Sequence, residues 1–348
     1  MNRIKIVLAQ NGTFIALIVM IAFFASMNPR FLSLANGQTI LLQIAELGII
    51  ALPLAFLIMA GTLDLSVGSV ASLSAVVSAM VMMEFNSTVL GFIAAILVGA
   101  ATGALNGLLI AYLKLNPLVI TLGFLSVWGG LALFLTQGST LVGFPDTFKQ
   151  IGTASIGPVP LQILILAAGV LFAWYILNRN SLGRNVLAIG GNRRAAHLMG
   201  VRVPSTVFFL FVATGVCAAI SGTLLAAKLQ SAPPTVGNGM EIQALTVVLL
   251  GGVALEGGMG RITGVVSGLL FVGVLRNGLV IMGVSQFLQT ILIGATLVVA
   301  VLLDGSVQRL VKKSWNTVET KRPKEPKEPE QPQQAEQPVP VGASSPQV

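Results

Sequence analysis

Residues 178–204 read NRNSLGRNVLAIGGNRRAAHLMGVRVP and form the longest charged interruption in a largely apolar chain. The segment contains five arginines, no carboxylate and the only histidine of the chain, His197. Short loops that are rich in arginine remain in the cytoplasm, because arginine resists translocation across the membrane. The segment therefore predicts a cytoplasmic loop that fixes the orientation of the apolar runs on either side.

The second half of this loop has the pattern of a short helix. The glycine pair at 190–191 indicates a turn, and Asn192 is a suitable N-cap for a helix over residues 193–199. Gly200 fits the end of that helix, where glycine enters the left-handed backbone region at little cost. Two adjacent alanines would let the helix approach a partner protein closely. An ordinary positive-inside loop without any partner is the alternative.

Composition places the chain in a membrane. Of its 348 residues, 55% are hydrophobic and only 9% are charged, whereas about a quarter are charged in soluble proteins. Apolar runs of about twenty residues recur, which is the length of a helical span. The net charge of +8 is concentrated between these runs, so it does not indicate a nucleic-acid partner. The fold class is an all-α polytopic membrane protein.

Ten apolar segments predict about ten transmembrane helices, arranged in two halves, with the N- and C-termini cytoplasmic. They cover approximately residues 12–27, 38–60, 70–84, 89–112, 117–137, 159–177, 205–227, 242–255, 262–282 and 287–303. The third and the eighth segments are short for a full crossing. Six crossings from a cytoplasmic start place the arginine-rich loop inside, in agreement with its charge.

Three parts follow along the chain. Residues 1–11 predict a cytoplasmic N-terminus, and residues 12–304 predict the transmembrane domain, which contains the loop 178–204. The tail, residues 305–348, predicts a cytoplasmic segment. From about residue 316 the tail is rich in Pro, Glu, Lys and Gln, a composition that predicts disorder.

Two glycine-containing breaks interrupt the apolar pattern, one in each half of the chain. Residues 61–69 contain Asp64, and residues 251–261 contain Glu256. Paired broken helices in two halves are typical of a substrate pathway, since the freed backbone groups must line a cavity. Close packing of helices through glycine, with both carboxylates at the cytoplasmic surface, is an equally supported interpretation.

The sequence predicts no catalytic, cofactor or metal site. It lacks a Gly-x-Ser-x-Gly elbow, paired metal-binding histidines and a phosphate-binding loop that ends in Gly-Lys-Ser/Thr. Energy for any transport must therefore come from an ion gradient or from another subunit. Glu46 is the carboxylate clearly inside a span, and it would be the coupling acid of an ion-coupled carrier.

Several motifs, in a fixed order, resemble the permease subunits of bacterial ABC importers for monosaccharides. This ribose-type family also includes importers of autoinducer-type furanones. The motifs are GTLDLSVGS at 61–69, NPLVITLG at 116–123, GRNV at 183–186, AIGGN at 188–192, GG at 251–252 and GGMG at 257–260. Residues 194–200, RAAHLMG, are similar to the Glu-Ala-Ala-x-x-x-Gly loop that docks on the ATPase of ABC importers, with Arg in place of Glu.

The resemblance implies a permease without ATPase activity of its own, paired with a second copy or a paralogue in the lipid bilayer. It also implies an ABC ATPase with tandem nucleotide-binding domains and a periplasmic sugar-binding protein as partners. The residues implied to contact the ATPase are Gly191, Asn192, Arg194, Ala195, Ala196 and Gly200. The candidates for the pathway are Asp64, Ser66, Gly68, Asn116, Thr121 and Glu256. An ion-coupled secondary sugar transporter is the alternative.

Overall fold

The computed structural model of the chain describes residues 12–319, and it describes the side chains of residues 12–302. One compact unit ends at Val307, and a second begins at Gln308, within the last helix. The α-helices of the described chain are α1 (Gly12–Met27), α2 (Leu34–Met59), α3 (Val67–Phe85), α4 (Thr88–Gly107), α5 (Pro117–Thr136), α6 (Asp146–Thr153), α7 (Leu161–Arg179), α8 (Ser181–Gly191), α9 (Arg193–Leu198), α10 (Val203–Leu229), α11 (Met240–Leu250), α12 (Ile262–Ile281) and α13 (Gln286–Glu319). The strands β1 (Ser155–Ile156) and β2 (Val159–Pro160) form one antiparallel pair.

Seven of the described helices are long and apolar enough to cross a membrane: α2, α3, α4 with the turn that follows it, α5, α7, α10 and α12. Three further apolar helices are shorter, at Gly12–Met27, Met240–Leu250 and Gln286–Leu302. All ten predicted segments are thus helical, and the number of crossings and the side of each terminus remain predictions. The third segment was predicted to be short, but α3 begins at Val67 and has 19 residues, a full span.

Helix α10 occupies the centre of the transmembrane unit and packs against α2, α3 and α4. Glycine allows the closest of these contacts, between α4 and α10. A Cβ atom on Gly215 of α10 would lie 2.1 Å from the carbonyl oxygen of Gly99. Small residues at such crossings let two helix backbones approach each other, which is how membrane helices associate without a hydrophobic driving force.

A single π-helical turn, Leu108–Tyr112, ends the α4 span. Before this turn, Asn106 lies fully buried and faces the start of α3. After it, the ring of Tyr112 packs edge-on against Phe208 of α10, with 5.8 Å between the ring centroids. The turn therefore directs side chains of one helix toward two different neighbours.

The chain between α10 and α11, residues 230–239, folds back among the helices, and we call it the re-entrant segment. Ala232 forms an isolated antiparallel bridge with Leu141, in the connection between α5 and α6. Farther on, the N–H of Gly237 donates to the hydroxyl oxygen of Ser72 in α3 at 2.8 Å. The re-entrant segment thus packs against both the α5–α6 connection and α3.

Both predicted terminal segments lie largely outside the described residues. Helix α13 extends to Glu319, beyond the predicted end of the tenth apolar segment at about residue 303. The disorder predicted from about residue 316 concerns mainly residues that the structure does not describe. The cytoplasmic N-terminus predicted for residues 1–11 is likewise not described.

Candidate functional site

The arginine-rich segment folds as two consecutive helices, α8 and α9. The side-chain oxygen of Asn180 accepts the N–H of Leu182 at 2.9 Å and caps α8. The glycine pair at 190–191, which was predicted to turn, forms the end of α8 instead. The chain turns at Asn192, whose side-chain oxygen accepts the N–H of Ala195 at 2.9 Å. The predicted N-cap of the short helix is confirmed, and the turn predicted for residues 190–192 occurs at its last residue.

The end of α9 also agrees with the sequence. Gly200 has a φ of +85°, the left-handed conformation that favours glycine at a helix C-terminus. Its N–H donates to the carbonyl oxygen of His197 at 3.0 Å. A short helix over residues 193–198 is therefore capped at both ends, with its first residues, Arg193 and Arg194, exposed.

Exposure separates the residues of α9 into two sets. Ala196 is 4% exposed and belongs to the core of this chain, while Ala195 is exposed. Leu198 and Met199 are 79% and 84% exposed, although both are large and apolar. Leu198 and Met199 were not among the residues predicted to contact the ATPase. Their exposure was predictable from the sequence, because a helix of fewer than two turns buries only one face and Ala196 lies on that face.

A concavity of about 320 Å³ adjoins the exposed end of α9. It is lined by Tyr112, His197, Gly200, Val201, Arg202, Pro204 and Ser205. Two apolar side chains therefore project beside a depression that contains a basic group. This combination of projection and depression suits a protein partner with a matching surface.

The two predicted glycine breaks and the arginine-rich segment meet in one place, which we call the glycine cluster: Gly61, Gly190, Gly257 and Gly258. A Cβ atom on Gly190 would lie 1.9 Å from the carbonyl oxygen of Met59. The N–H of Gly258 donates to that same oxygen at 2.8 Å. Glu256 lies exposed at the edge of the cluster. These contacts support the close-packing interpretation of the breaks.

Asp64 lies in a buried polar cluster between α2 and α3. One carboxylate oxygen accepts the N–H of Ser66 at 2.8 Å and its hydroxyl at 2.6 Å. The other oxygen accepts the Nδ2–H of Asn106 at 3.2 Å. Asp64 is only 2% exposed, and a buried carboxylate requires such partners. The acid therefore holds the start of α3 against α4.

The remaining pathway candidates do not join that cluster. Asn116 caps α5 through the N–H of the residue two positions on, and the hydroxyl of Thr121 donates within the same helix. Gly68 instead faces the start of α11. A Cβ atom on Gly68 would lie 2.0 Å from a carboxylate oxygen of Glu241 and 2.6 Å from the carbonyl oxygen of Gly237.

A pocket of about 320 Å³ opens beside Gly68. It is lined by Ser69, Leu125, Ser126, Gly129, Gly130, Asn238 and Glu241, which come from α3, α5, the re-entrant segment and α11. Asn238 and Glu241 were not predicted as site residues. Asn238 had been assigned to a loop between two spans, and Glu241 had been given no role. The available signal was the unusual shortness of the eighth apolar segment.

Glu46, the carboxylate inside α2, forms an ion pair with Lys228 near the end of α10. The ammonium Nζ donates to the two carboxylate oxygens at 3.1 and 3.3 Å and to the carbonyl oxygen of Leu42 at 2.8 Å. Glu46 faces protein, since it is 3% exposed. Its charge is balanced within the protein.

Comparison with known proteins identifies the family. A model described as "Branched-chain amino acid transport system / permease component" matches residues 37–301. The chain belongs to this family. The permease is 35% identical to the ribose import permease protein RbsC of Bacillus subtilis (strain 168), over 86% of this chain and 93% of that protein. It is 34% identical to the D-allose transport system permease protein AlsC of Escherichia coli (strain K12), over 87% and 92% of the two chains.

A third relative, the L-arabinose transport system permease protein AraH of Escherichia coli (strain K12), is 34% identical over 86% of the permease and 92% of its own length. No solved structure is significantly similar to the permease. The resemblance drawn from the motifs is confirmed. With seven described helices able to span a bilayer, the permease is a multi-pass protein of the inner membrane.

Proposed function

We propose that the permease is the transmembrane subunit of an ATP-driven importer for a monosaccharide. The observation that carries the proposal is the similarity, over nearly the whole chain, to relatives named for the import of ribose, allose and L-arabinose. The family description names branched-chain amino acids, but these full-length relatives are named for sugars. The substrate class is therefore a neutral sugar.

In this function the permease forms the translocation pathway and hydrolyses no ATP itself. An ABC ATPase subunit with tandem nucleotide-binding domains supplies the energy, and a periplasmic binding protein delivers the sugar. A second copy of the permease, or a paralogue, completes the pathway. Closure of the ATPase on ATP moves the two permease subunits between inward-open and outward-open states.

The contact with the ATPase is assigned to α9. Leu198 and Met199 are almost fully exposed in an arginine-rich segment whose charge favours the cytoplasm. Burying two such side chains in a partner contributes about 1.5–3 kcal/mol each. Ala195 and Arg194 lie beside them. Ala196 is buried within the permease itself, so it packs α9 against the permease and does not contact a partner.

The test combines uptake with co-purification of the ATPase. Wild-type permease is placed in proteoliposomes with its partner ATPase and binding protein and offered D-ribose, D-allose, L-arabinose or L-leucine. We expect ATP-dependent uptake of at least one of the sugars and none of leucine. Uptake by the permease alone, driven by a proton or sodium gradient, would contradict the proposal and favour the ion-coupled carrier.

The assigned contact is tested with the double variant Leu198→Asp/Met199→Asp. It loses apolar contact on both residues, so we expect ATPase association to weaken by at least a hundredfold, with the amount of permease in the membrane unchanged. Ile156→Asp is the matched control, because Ile156 is also an exposed apolar residue, 68% exposed, but lies in the strand pair after α6. Co-purification and uptake at wild-type levels in the double variant would remove α9 from the interface.

A further inference from the structure

We infer that the pocket between α3, α5 and the start of α11 is a monosaccharide-binding station within the translocation pathway. The inference rests on the proposed function and assigns part of it to particular side chains: Ser69, Ser126, Asn238 and Glu241. Their hydroxyl, amide and carboxylate groups bind the hydroxyls of the sugar during its passage. The permease then takes part in substrate selection, in addition to the binding protein that delivers the sugar.

Two lengths place the pocket near the middle of the membrane. Helix α11 has 11 residues, about 16 Å at 1.5 Å per residue. Its last turn packs on the start of α12, where a Cβ atom on Gly264 would lie 2.0 Å from the carbonyl oxygen of Gly251. The hydrocarbon core is about 30 Å thick, so the start of α11 lies about half-way across. On α5, which spans residues 117–136, the lining positions 125–130 are also central.

The non-helical backbone of the re-entrant segment does not face lipid at this depth. Non-helical backbone in the membrane occurs only where protein encloses it or where it lines a water-filled cavity. Asn238 and Ser126 are exposed, and their side chains have no hydrogen-bond partner among the described residues. Among the described residues, the carboxylate of Glu241 accepts the N–H of Gly239 at 3.2 Å and interacts with its own backbone N–H, and Glu241 lines the pocket. These groups therefore lie along an aqueous path.

The chemistry of the pocket fits a neutral polyhydroxyl ligand. A carboxylate accepts hydrogen bonds from sugar hydroxyls, and such charge-assisted bonds are stronger than neutral ones. The amide of Asn238 both donates and accepts, which suits two neighbouring hydroxyls. None of the described lining residues is basic, so the negative groups of amino acids and phosphates find no opposite charge there, and the carboxylate of Glu241 repels them. A volume of about 320 Å³ lies at the small end of ligand sites.

Close backbone contacts hold the station in shape. A Cβ atom on Gly237 would lie 2.1 Å from the carbonyl oxygen of Gly68, and the hydroxyl of Ser72 accepts the N–H of Gly237. The re-entrant segment is thereby fixed on the start of α3. The carboxylate of Glu241 packs against Gly68. Any side chain at position 68 would displace that carboxylate.

The first test removes the charge and keeps the shape. In proteoliposomes with the complete transporter, we expect Glu241→Gln to lower ATP-dependent uptake about tenfold, since it replaces charge-assisted hydrogen bonds with neutral ones. D-ribose, D-allose and L-arabinose differ in the number or the configuration of their hydroxyls, so their uptake rates should fall by different factors. Glu84→Gln is the matched control, because Glu84 is an exposed acid at the far end of α3, and its uptake should stay at the wild-type rate.

The second test fills the pocket. Ser126→Trp should abolish uptake, because the indole occupies the space beside Glu241. Val127→Trp, at a neighbouring position of α5 that is 52% exposed and outside the pocket, should retain it. A lipid-facing Ser126 would tolerate tryptophan as well as Val127 does.

The outcomes separate the inference from the function on which it rests. Uptake within twofold of wild type in both Glu241→Gln and Ser126→Trp contradicts the station and leaves the importer intact. An equal loss for all three sugars, together with loss of the ATPase from the purified complex, assigns Glu241 a structural role and also contradicts the station. Failure of the wild-type complex to import any of the three sugars with ATP contradicts the proposed function itself.

Discussion

Glycine has opposite consequences in two regions of the permease. In the glycine cluster, the missing side chain of Gly190 lets α8 contact the carbonyl end of α2, and no free space remains. Around the re-entrant segment, Gly68 and Gly237 touch each other, but Gly129 and Gly130 border a pocket of about 320 Å³. The first region joins three segments into a rigid unit, and the second keeps a cavity open between elements.

The acidic residues of the two regions differ in the same way. Asp64, near the closed region, accepts hydrogen bonds at both carboxylate oxygens from buried partners. Glu241, at the open region, accepts hydrogen bonds only from local backbone N–H groups, its own and that of Gly239, among the described residues, and it lines the pocket. A carboxylate that is satisfied internally stabilises a fold, whereas one that lacks internal partners is available to a ligand. The role of an acid beside a glycine break can therefore be assigned only from its hydrogen-bond partners.

The largest expected effect tests the closed region. In Gly190→Ala the added Cβ atom would lie 1.9 Å from the carbonyl oxygen of Met59 and 2.3 Å from the amide nitrogen of Gly258. Two backbones must then separate, so we expect a destabilisation of more than about 3 kcal/mol and little permease in the membrane. The control is Gly191→Ala, since a Cβ atom there meets nothing within 4 Å. Equal membrane levels of the two variants would show that the cluster is not closely packed.

An intermediate effect concerns the ion pair that precedes the re-entrant segment. Removing one partner in Glu46→Gln or Lys228→Met leaves the other charge uncompensated, which destabilises the fold by about 3 kcal/mol. The double variant removes both charges and should recover most of that loss. Thermal unfolding of the purified permease in detergent measures the three values. Additive losses in the double variant would mean that the two residues do not stabilise each other.

The smallest effect concerns α6, which covers the start of the re-entrant segment. The position of α6 depends on the close contact of Gly152, where a Cβ atom would lie 2.2 Å from the carbonyl oxygen of Ala227. It does not depend on the ion pair between Asp146 and Lys149 at the start of the helix. The hydrogen bond from Lys149 lowers the pKa of Asp146, so any stabilisation is present at neutral pH and disappears as the pH falls through that lowered pKa. Because the pair is on the surface, Asp146→Asn should unfold at the wild-type temperature at pH 7 and pH 4. A clear shift at pH 7 would give the pair a structural role.

The positions of the apolar helices were predictable, because the length of an apolar run follows directly from the thickness of the bilayer. The first span, Gly12–Met27, coincides with α1. The caps of α9 were predictable for a similar reason, since Asn192 and Gly200 act through local backbone geometry. Helix α8 was missed, because Arg184, Asn185 and the terminal glycine pair have the composition of a loop.

The depth of a polar segment could not be predicted in the same way. Residues 230–239 contain Pro, Gly, Asn and Ser, a composition that surface loops and re-entrant segments share. What fixes their place is the contact of Gly237 with Gly68, which joins residues far apart in the sequence. The candidate site was therefore predicted at its edge, in Gly68, while Asn238 and Glu241 were overlooked.

The π-helical turn at Leu108–Tyr112 has a consequence for how this gene can change. A π turn contains one residue more than an α-helical turn, and each residue of a regular helix rotates the chain by about 100°. Deleting one codon within the turn would leave an ordinary α-helical turn, so Tyr112 would still face Phe208 and Asn106 would stay at Asp64. A deletion in a regular turn of α4 would instead rotate everything after it by about 100°. The π turn should therefore tolerate a single in-frame deletion that the regular turns of α4 reject, a pattern that a library of single-codon deletions would record.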